Sequence, residues 1–373
     1  MTGFSRTDRS VVGRWWWTVD RWTLTAVLTI CFIGAMLILA ASPAVATRIG
    51  LDSFHFVKRQ LLFVPVAVLI MIGVSLLTPL QIRRVATLGL IAGLGMLCLT
   101  LVAGQEIKGA RRWLNIAGQS IQASEFVKPC FAVFSAWMFA EWKKGRGFPG
   151  WAAACATYGV VVGLLMLQPD LGMTIVITCI FGAQFFLAGL PLVLVVFVVM
   201  SGVTGFLGAY LLFPHVQSRV NRFLDPSTGD TFQVDRAMEA FANGGAWGRG
   251  PGEGIAKAFI PDVHADFIFA VAGEEFGLIT CLVILTLFAF VVMRGFMRLL
   301  GETNLFVLLA GAGLLVQFGL QAFINMASTL HMIPTKGMTL PFISYGLSSL
   351  VAISIGMGML MALTRRRYGE LDL

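Results

Sequence analysis

The chain is predicted to be an all-α polytopic membrane protein: ten transmembrane helices in one membrane domain over residues 1–373, with one long loop on the outer face between helices 7 and 8. Three observations carry this prediction. Hydrophobic residues make up 57% of the chain and charged residues only 12%, roughly half the charged share of a soluble domain. The charges gather between long uncharged runs, which excludes both a disordered chain and the short alternating segments of an outer-membrane barrel. Basic residues are dense on one side of the resulting map, so the net charge of +8 reads as orientation in a bilayer, not as affinity for nucleic acid.

The uncharged intervals give the spans in order. Between Arg21 and Arg48 lie 26 uncharged residues, between Arg59 and Arg83 lie 23, between Arg84 and Glu106 lie 21, and between Arg146 and Asp170 lie 23. Each is one crossing, since about 20 residues span the hydrocarbon. The 48 residues between Asp170 and Arg219 make two, with Gly189-Leu190-Pro191 as the turn. Further crossings lie in the intervals Glu275 to Arg294, Glu302 to Lys336 and Lys336 to Arg365. A tenth, 122–142, carries Glu125 and Lys128 three apart on one helix face, where they can pair.

With ten crossings both termini share a side. The segments on it, including an N-terminal segment 1–21 and a tail 364–373, hold 14 basic residues in 57 positions. The other side holds 13 in roughly twice the length, five of them in a loop too long for the rule to count. The dense side is therefore cytoplasmic. Ala44-Val45-Ala46 resembles a signal-peptidase site, but the apolar run before it exceeds a signal sequence's apolar core, so the first helix is expected to be uncleaved. The six cysteines fall in apolar stretches without a CxxC pair and read as small packing residues.

The large loop, 213–266, is different in kind. Its stretch 219–266 holds 12 charges in 48 residues and seven glycines. Aromatic anchors, among them Phe223, Phe241 and Trp247, equip it to fold onto the membrane mouth. The run Gly248-Arg249-Gly250-Pro251-Gly252-Glu253-Gly254 lacks both GxGxxG and GK[ST], so it reads as a flexible loop with left-handed turns and not as a nucleotide cradle.

Carboxylates inside a membrane usually mark function. Glu274 and Glu275 fall about 12 Å into the next helix, and Asp266 stands where a helix N-cap would. Glu125, Lys128, Arg112, Lys58, Arg59 and Lys336 all map to the same outer side, a cationic ring suited to an anionic lipid head group or to snorkelling at the interface.

Several ordered motifs resemble the SEDS family of polytopic membrane proteins. They are Ala110-Arg111-Arg112-Trp113-Leu114 with Gln122-Ala123-Ser124-Glu125, Gln168-Pro169-Asp170-Leu171-Gly172, and Asp262-Val263-His264-Ala265-Asp266-Phe267 with Gly273-Glu274-Glu275-Phe276-Gly277. Pro334-Thr335-Lys336-Gly337 and Leu340-Pro341-Phe342-Ile343-Ser344-Tyr345-Gly346 complete the set. The Gly-Glu-Glu and Pro-Thr-Lys-Gly forms resemble the FtsW branch more than the RodA branch, and residues 5–9 and 15–17 resemble its alphaproteobacterial members. Ala123, Ala265 and Leu347 depart from the family pattern without removing a charged or nucleophilic group.

The resemblance implies a peptidoglycan glycosyltransferase of septal wall synthesis, in the bacterial inner membrane at the division septum. Its substrate is lipid II and its leaving group undecaprenyl pyrophosphate. The family's catalytic carboxylate maps onto Asp266. Arg112, Lys128, Lys336 and Arg59 are the candidates to meet the pyrophosphate, supported by Glu125, His264, Glu274, Glu275, Ser344 and Tyr345. A divalent cation, Mg or Mn, is implied without assignable ligands. The implied partners are a class B penicillin-binding transpeptidase, other division proteins and membrane lipid. The alternatives are a lipid II flippase, against which stands the lack of an inverted repeat, and a divisome scaffold, which leaves the outer charges unexplained.

Overall fold

A computed structural model describes residues 10–107, 110–116, 118–145, 147–189, 192–212, 214–225, 232–334 and 337–365. The chain folds into helices α1 (Val11–Thr18), α2 (Arg21–Arg48), α3 (His55–Ser75) and α4 (Pro79–Ala103), then strands β1 (Gln105–Ile107), β2 (Ala110–Ile116) and β3 (Gln119–Ile121). Next come α5 (Ala123–Lys143), α6 (Gly150–Leu167), α7 (Leu171–Leu187), α8 (Leu192–Leu212), α9 (Pro214–Leu224) and α10 (Phe232–Gly244). A single 3-10 turn at Ala256–Ala258 precedes α11 (Ile268–Leu299), α12 (Leu305–Thr329) and α13 (Leu347–Leu363).

Among the described residues six helices, α2, α3, α4, α6, α11 and α12, are long and apolar enough to cross a membrane, and α7 and α13 are shorter apolar helices. Helix α5 is as long as a span but carries Glu125, Lys128, Glu141 and Lys143. The uncharged intervals thus became helices, including α7 and α8 from the longest of them; the turn expected at Gly189-Leu190-Pro191 lies partly outside the described residues.

Local chemistry sets the ends. Thr78-Pro79-Leu80-Gln81 starts α4 with a reciprocal capping box: Gln81 N donates to Thr78 Oγ1 and Thr78 N donates to Gln81 Oε1, while Pro79 occupies a position that needs no N–H. Asn304 caps α12 by accepting from Phe306 N at 3.0 Å. In the interior, α12 packs on α5, α7, α11 and α13, and α5 also packs on α4. Gly89 and Gly93, one turn apart on α4, let α5 approach so closely that a Cβ would lie 2.6 Å from Cys130 Sγ or 2.7 Å from Val127 Cγ2. Described cysteines are all free; Cys98 and Cys179 face outward, so the packing role fits Cys31, Cys130 and Cys281 better than these two.

Three features depart from a plain helical bundle. Within residues 105–121, the strands form an antiparallel sheet in the order β1-β2-β3. Part of the N-terminal segment is the short helix α1, fixed inward by Trp15 Nε1 donating to Ser75 Oγ at 2.8 Å. The large loop is largely structured, as α9, α10 and the 3-10 turn.

Candidate active site

A cavity of about 910 Å³ opens at the end of the bundle where α3, α5, α7, α11 and α13 begin. Arg59, Arg112, Glu125, His264, Asp266 and Tyr345 all line it, so the structure brings six of the sequence-predicted residues to one cavity. Trp113, Asp170, Gln122, Thr339 and Ser348 line it too.

Asp266 is held by its backbone. Asp262, in the left-handed region with φ 52°, accepts from the amides of Ala265 and Asp266 at 2.9 and 3.0 Å, closing a tight turn. Asn325 Nδ2, from α12, donates to Asp266 O at 3.0 Å and to Met338 O at 2.6 Å. Ser344 Oγ donates to Ala265 O at 2.5 Å, and Tyr345 N donates to His264 O at 2.9 Å. The segment before α13 is thereby stitched to the turn that carries the carboxylate. Ser344 does this from behind the cavity wall. The N-cap expectation for Asp266 is corrected: Phe267 holds the cap position, without a side-chain cap bond, because the turn carries Asp266 one residue too early.

The cations divide into two groups. Arg112 lies in the wall, donating to Gln168 O at 3.2 Å and to Pro169 O, with Nε 3.9 Å from Asp170 Oδ2. Asp170 also caps α7, accepting from Met173 N at 3.4 Å, and meets Gln122 Nε2 at 3.5 Å. Lys128 does not line the cavity. Wholly buried, it stands behind Glu125, its Nζ 2.8 Å from Glu125 Oε2 in an ion pair off the hydrogen-bond axis, and donates to Gln321 Oε1 at 2.7 Å. Gln321 in turn reaches Thr339 and Ser349. Lys336 lies outside the described residues.

His264 closes a triangle of rings with Phe56, at 4.3 Å between centroids, and Tyr345, at 5.4 Å, which are themselves 5.0 Å apart. Burial pushes its pKa down to about 4 against the opposing pull of Asp262, and the charge of Arg48 adds to the fall; the ring is neutral at pH 7.

Glu274 and Glu275, expected to support the cationic candidates, find their partners in the loop instead. Both are buried, but they face away from the cavity. Glu274 accepts from the amides of Ile255, Ala256 and Lys257 at 2.8, 2.8 and 3.2 Å. Glu275 accepts from Gly252 N at 2.8 Å and pairs with Lys257. The reason is a break in α11 at Gly277, with φ 78° and ψ −179°, into which the glycine-rich loop inserts. Gly248, Gly250 and Gly252 do take left-handed turns, with φ 82°, 114° and 87°. A Cβ at Gly248 would lie 2.2 Å from Glu275 O, so glycine is required by close approach as well as by φ. The loop is bonded, not merely flexible.

Among the described residues no group of three or more His, Cys, Asp or Glu side chains is placed to hold a metal ion. Asp170 and Glu125 are committed to Arg112 and Lys128, so the described donor set does not form a cage for the divalent cation that the resemblance implies.

Asp170 marks a span end and stands in the motif Gln168-Pro169-Asp170-Leu171-Gly172, but it is not among the candidate site residues named from sequence; the motif was the available signal. Gln321, Asn325 and Lys257 left no such trace.

Residues 21–369 match the family described as cell cycle protein, FtsW/RodA/SpoVE. The chain is 47% identical over 367 residues to the probable peptidoglycan glycosyltransferase FtsW of Caulobacter vibrioides, covering 98% of this chain and 94% of that one. It is 33% identical to stage V sporulation protein E of Bacillus subtilis, covering 91% and 94%. Among solved structures it resembles a chain reported under "Structural coordination of polymerization and crosslinking by a peptidoglycan synthase complex", with TM-score 0.76, 26% identity, and 93% and 97% of the two chains covered. It also resembles the rod shape determining protein RodA of Thermus thermophilus, with TM-score 0.68, 25% identity, and 94% and 97% covered. This multi-pass membrane protein belongs to the FtsW/RodA/SpoVE family, the SEDS proteins.

Proposed function

We propose that the chain is a peptidoglycan glycosyltransferase that polymerises lipid II during septal wall synthesis. The observation that carries this is that Asp266, Arg59 and Arg112 line one cavity at the mouth of an apolar bundle. A polar cavity there accommodates sugars and pyrophosphate while a polyprenyl tail stays in lipid. The family and the names of its relatives support the same chemistry.

In the reaction the 4-hydroxyl of one GlcNAc attacks the anomeric carbon of a lipid-linked MurNAc. A C–O bond forms, the bond from that carbon to the pyrophosphate oxygen breaks, and the hydroxyl proton passes to Asp266. Arg112 and Arg59, with Lys336, meet the charge that develops on undecaprenyl pyrophosphate. Lys128 acts from behind, fixing Glu125. His264, neutral, serves as a packed spacer beside the base.

The proposed setting is ten crossings, both termini cytoplasmic, in the inner membrane at the division septum, beside a class B penicillin-binding transpeptidase and other division proteins. Cysteines introduced at Gly145 and Glu253 in a cysteine-free background then label from opposite sides; labelling of both from the periplasm contradicts the map. The activity is tested by polymerisation of labelled lipid II by the purified protein with its transpeptidase partner. Glycan chains that vanish with Asp266→Ala support it, and chains made equally by both contradict it.

A further inference from the structure

Helix α11 is interrupted eleven residues after Asp266, at Gly277. A helix broken there transmits its orientation poorly to its first turns, because Leu278 N and Ile279 N do not close onto Glu274 O and Glu275 O. The loop supplies their partners. Leu278 N donates to Gly245 O at 2.9 Å and Ile279 N to Ala246 O at 3.3 Å, while Glu274 O accepts from Arg249 N and Glu275 O from Gly250 N, both at 3.0 Å. Both sides of the break are thus bonded to one strip of loop.

The strip needs an anchor of its own. Lys257 is buried yet lies outside the cavity wall. Its ammonium pairs with the Glu275 carboxylate and donates to Ala40 O of α2 at 2.9 Å and to Gly252 O at 3.3 Å. That uses all three of its protons. Loop, first segment of α11 and α2 therefore meet at one atom.

We propose that Lys257 is a positioning residue for Asp266: by joining Glu275 to Ala40 O it fixes the first segment of α11, and with it the turn that presents the carboxylate. Truncating Lys257 leaves Glu275 buried without its counter-charge, and the segment shifts or admits water to relieve it. A displacement of about 1 Å at a reacting group can cost about a hundredfold in rate. The role in catalysis rests on Asp266 being the base; the mechanical coupling does not.

The test compares wild-type protein, Lys257→Met and Lys257→Arg, each with its transpeptidase partner and normalised to folded protein. Amide hydrogen exchange over residues 262–270 is measured alongside kcat and KM for labelled lipid II. The proposal expects faster exchange in that segment, with α12 amides unchanged, and in Lys257→Met a kcat lower by at least about tenfold while KM moves less than about twofold. Lys257→Arg keeps the charge but not the three-point geometry, and is expected to fold and fall between the two. Should Lys257→Met fail to fold, Lys257→Arg carries the same two readouts. Wild-type exchange over 262–270 in the variants overturns the coupling whether or not lipid II is polymerised. A loss confined to KM, or to the yield of folded protein, overturns the positioning role. Faster exchange with no polymerisation by wild type leaves the coupling standing and counts against the functional reading instead.

Discussion

Gly337 faces the carboxylate of Asp266 so closely that a Cβ built on it would lie 2.7 Å from Oδ2. The glycine sits in the segment before α13 that Asn325 and Ser344 tie to the turn carrying Asp266, so neither side can retreat freely. A methyl group here must push the carboxylate aside. Gly337→Ala is expected to lower polymerisation by at least about tenfold, consistent with the cost of displacing a reacting group. Thermal stability should change little, since the contact is with a side chain at the cavity and not with the core. Activity within about twofold of wild type would show that the carboxylate moves without penalty.

The Glu125–Lys128 pair is a second test of the same cavity. Removing one member of a buried pair leaves an uncompensated charge, at a cost of about 3–5 kcal/mol. Lys128→Met is expected to destabilise the protein by that order and to disturb Glu125 in the cavity. Glu125→Gln/Lys128→Met together should recover much of the stability, because no buried charge remains. Melting curves of wild type and of both variants in detergent check this; a loss below about 1 kcal/mol in Lys128→Met would place the pair in contact with water.

The bundle was legible because burial in lipid removes charge from about 20 residues at a time, a signal that needs no pairing information. Residues 105–121 were not, because strands of three and seven residues carry too little periodicity to separate from a loop. The break at Gly277 was equally hidden: Glu274-Glu275-Phe276-Gly277 reads as continuous helix, and only the loop bonding at residues 245–250 explains why it is not. The cavity lining was legible in part: Asp266, Arg112 and Glu125, placed on one outer side and carried by family motifs, all line it. For Glu274 and Glu275 it was the partner, the glycine-rich loop, that was not legible. Sequence distance gave their depth along the helix but not the face they occupy.

At the other end of the bundle, Asp20 joins two elements far apart in sequence. It pairs with Arg294 at 3.0 Å and Arg298 at 3.0 Å and accepts from Thr23 at 2.9 Å. Burial pushes its carboxyl up, but the bonds from Arg294 and Thr23 and the charges of Arg298 and Arg294 outweigh this and hold it below the usual carboxylate range. A folded-state pKa below the unfolded value of about 3.9 means stability that is present above that value and lost as pH falls through the lower one. Asp20→Asn is expected to cost about 1.5–3 kcal/mol at neutral pH, as for a hydrogen bond to a charged group. The difference in Tm between Asp20→Asn and wild type should stay constant from pH 7 to about pH 5 and shrink below about pH 4. A difference that grows on acidification contradicts the assignment.

The central claim, that Asp266 takes the proton of the attacking hydroxyl, is tested most directly by the rate of lipid II polymerisation with Asp266→Asn, in the presence of the transpeptidase partner and without a contaminating polymerase. The substitution is nearly isosteric. The backbone bonds that hold the turn come from Asn325, Ser344 and Tyr345, and Phe267 rather than Asp266 holds the cap position of α11, so the turn should persist. Asparagine cannot accept the proton, and the account predicts a loss of at least about 10²-fold with membrane insertion and partner binding intact. Polymerisation near the wild-type rate would contradict it and move the base to another carboxylate of the cavity wall.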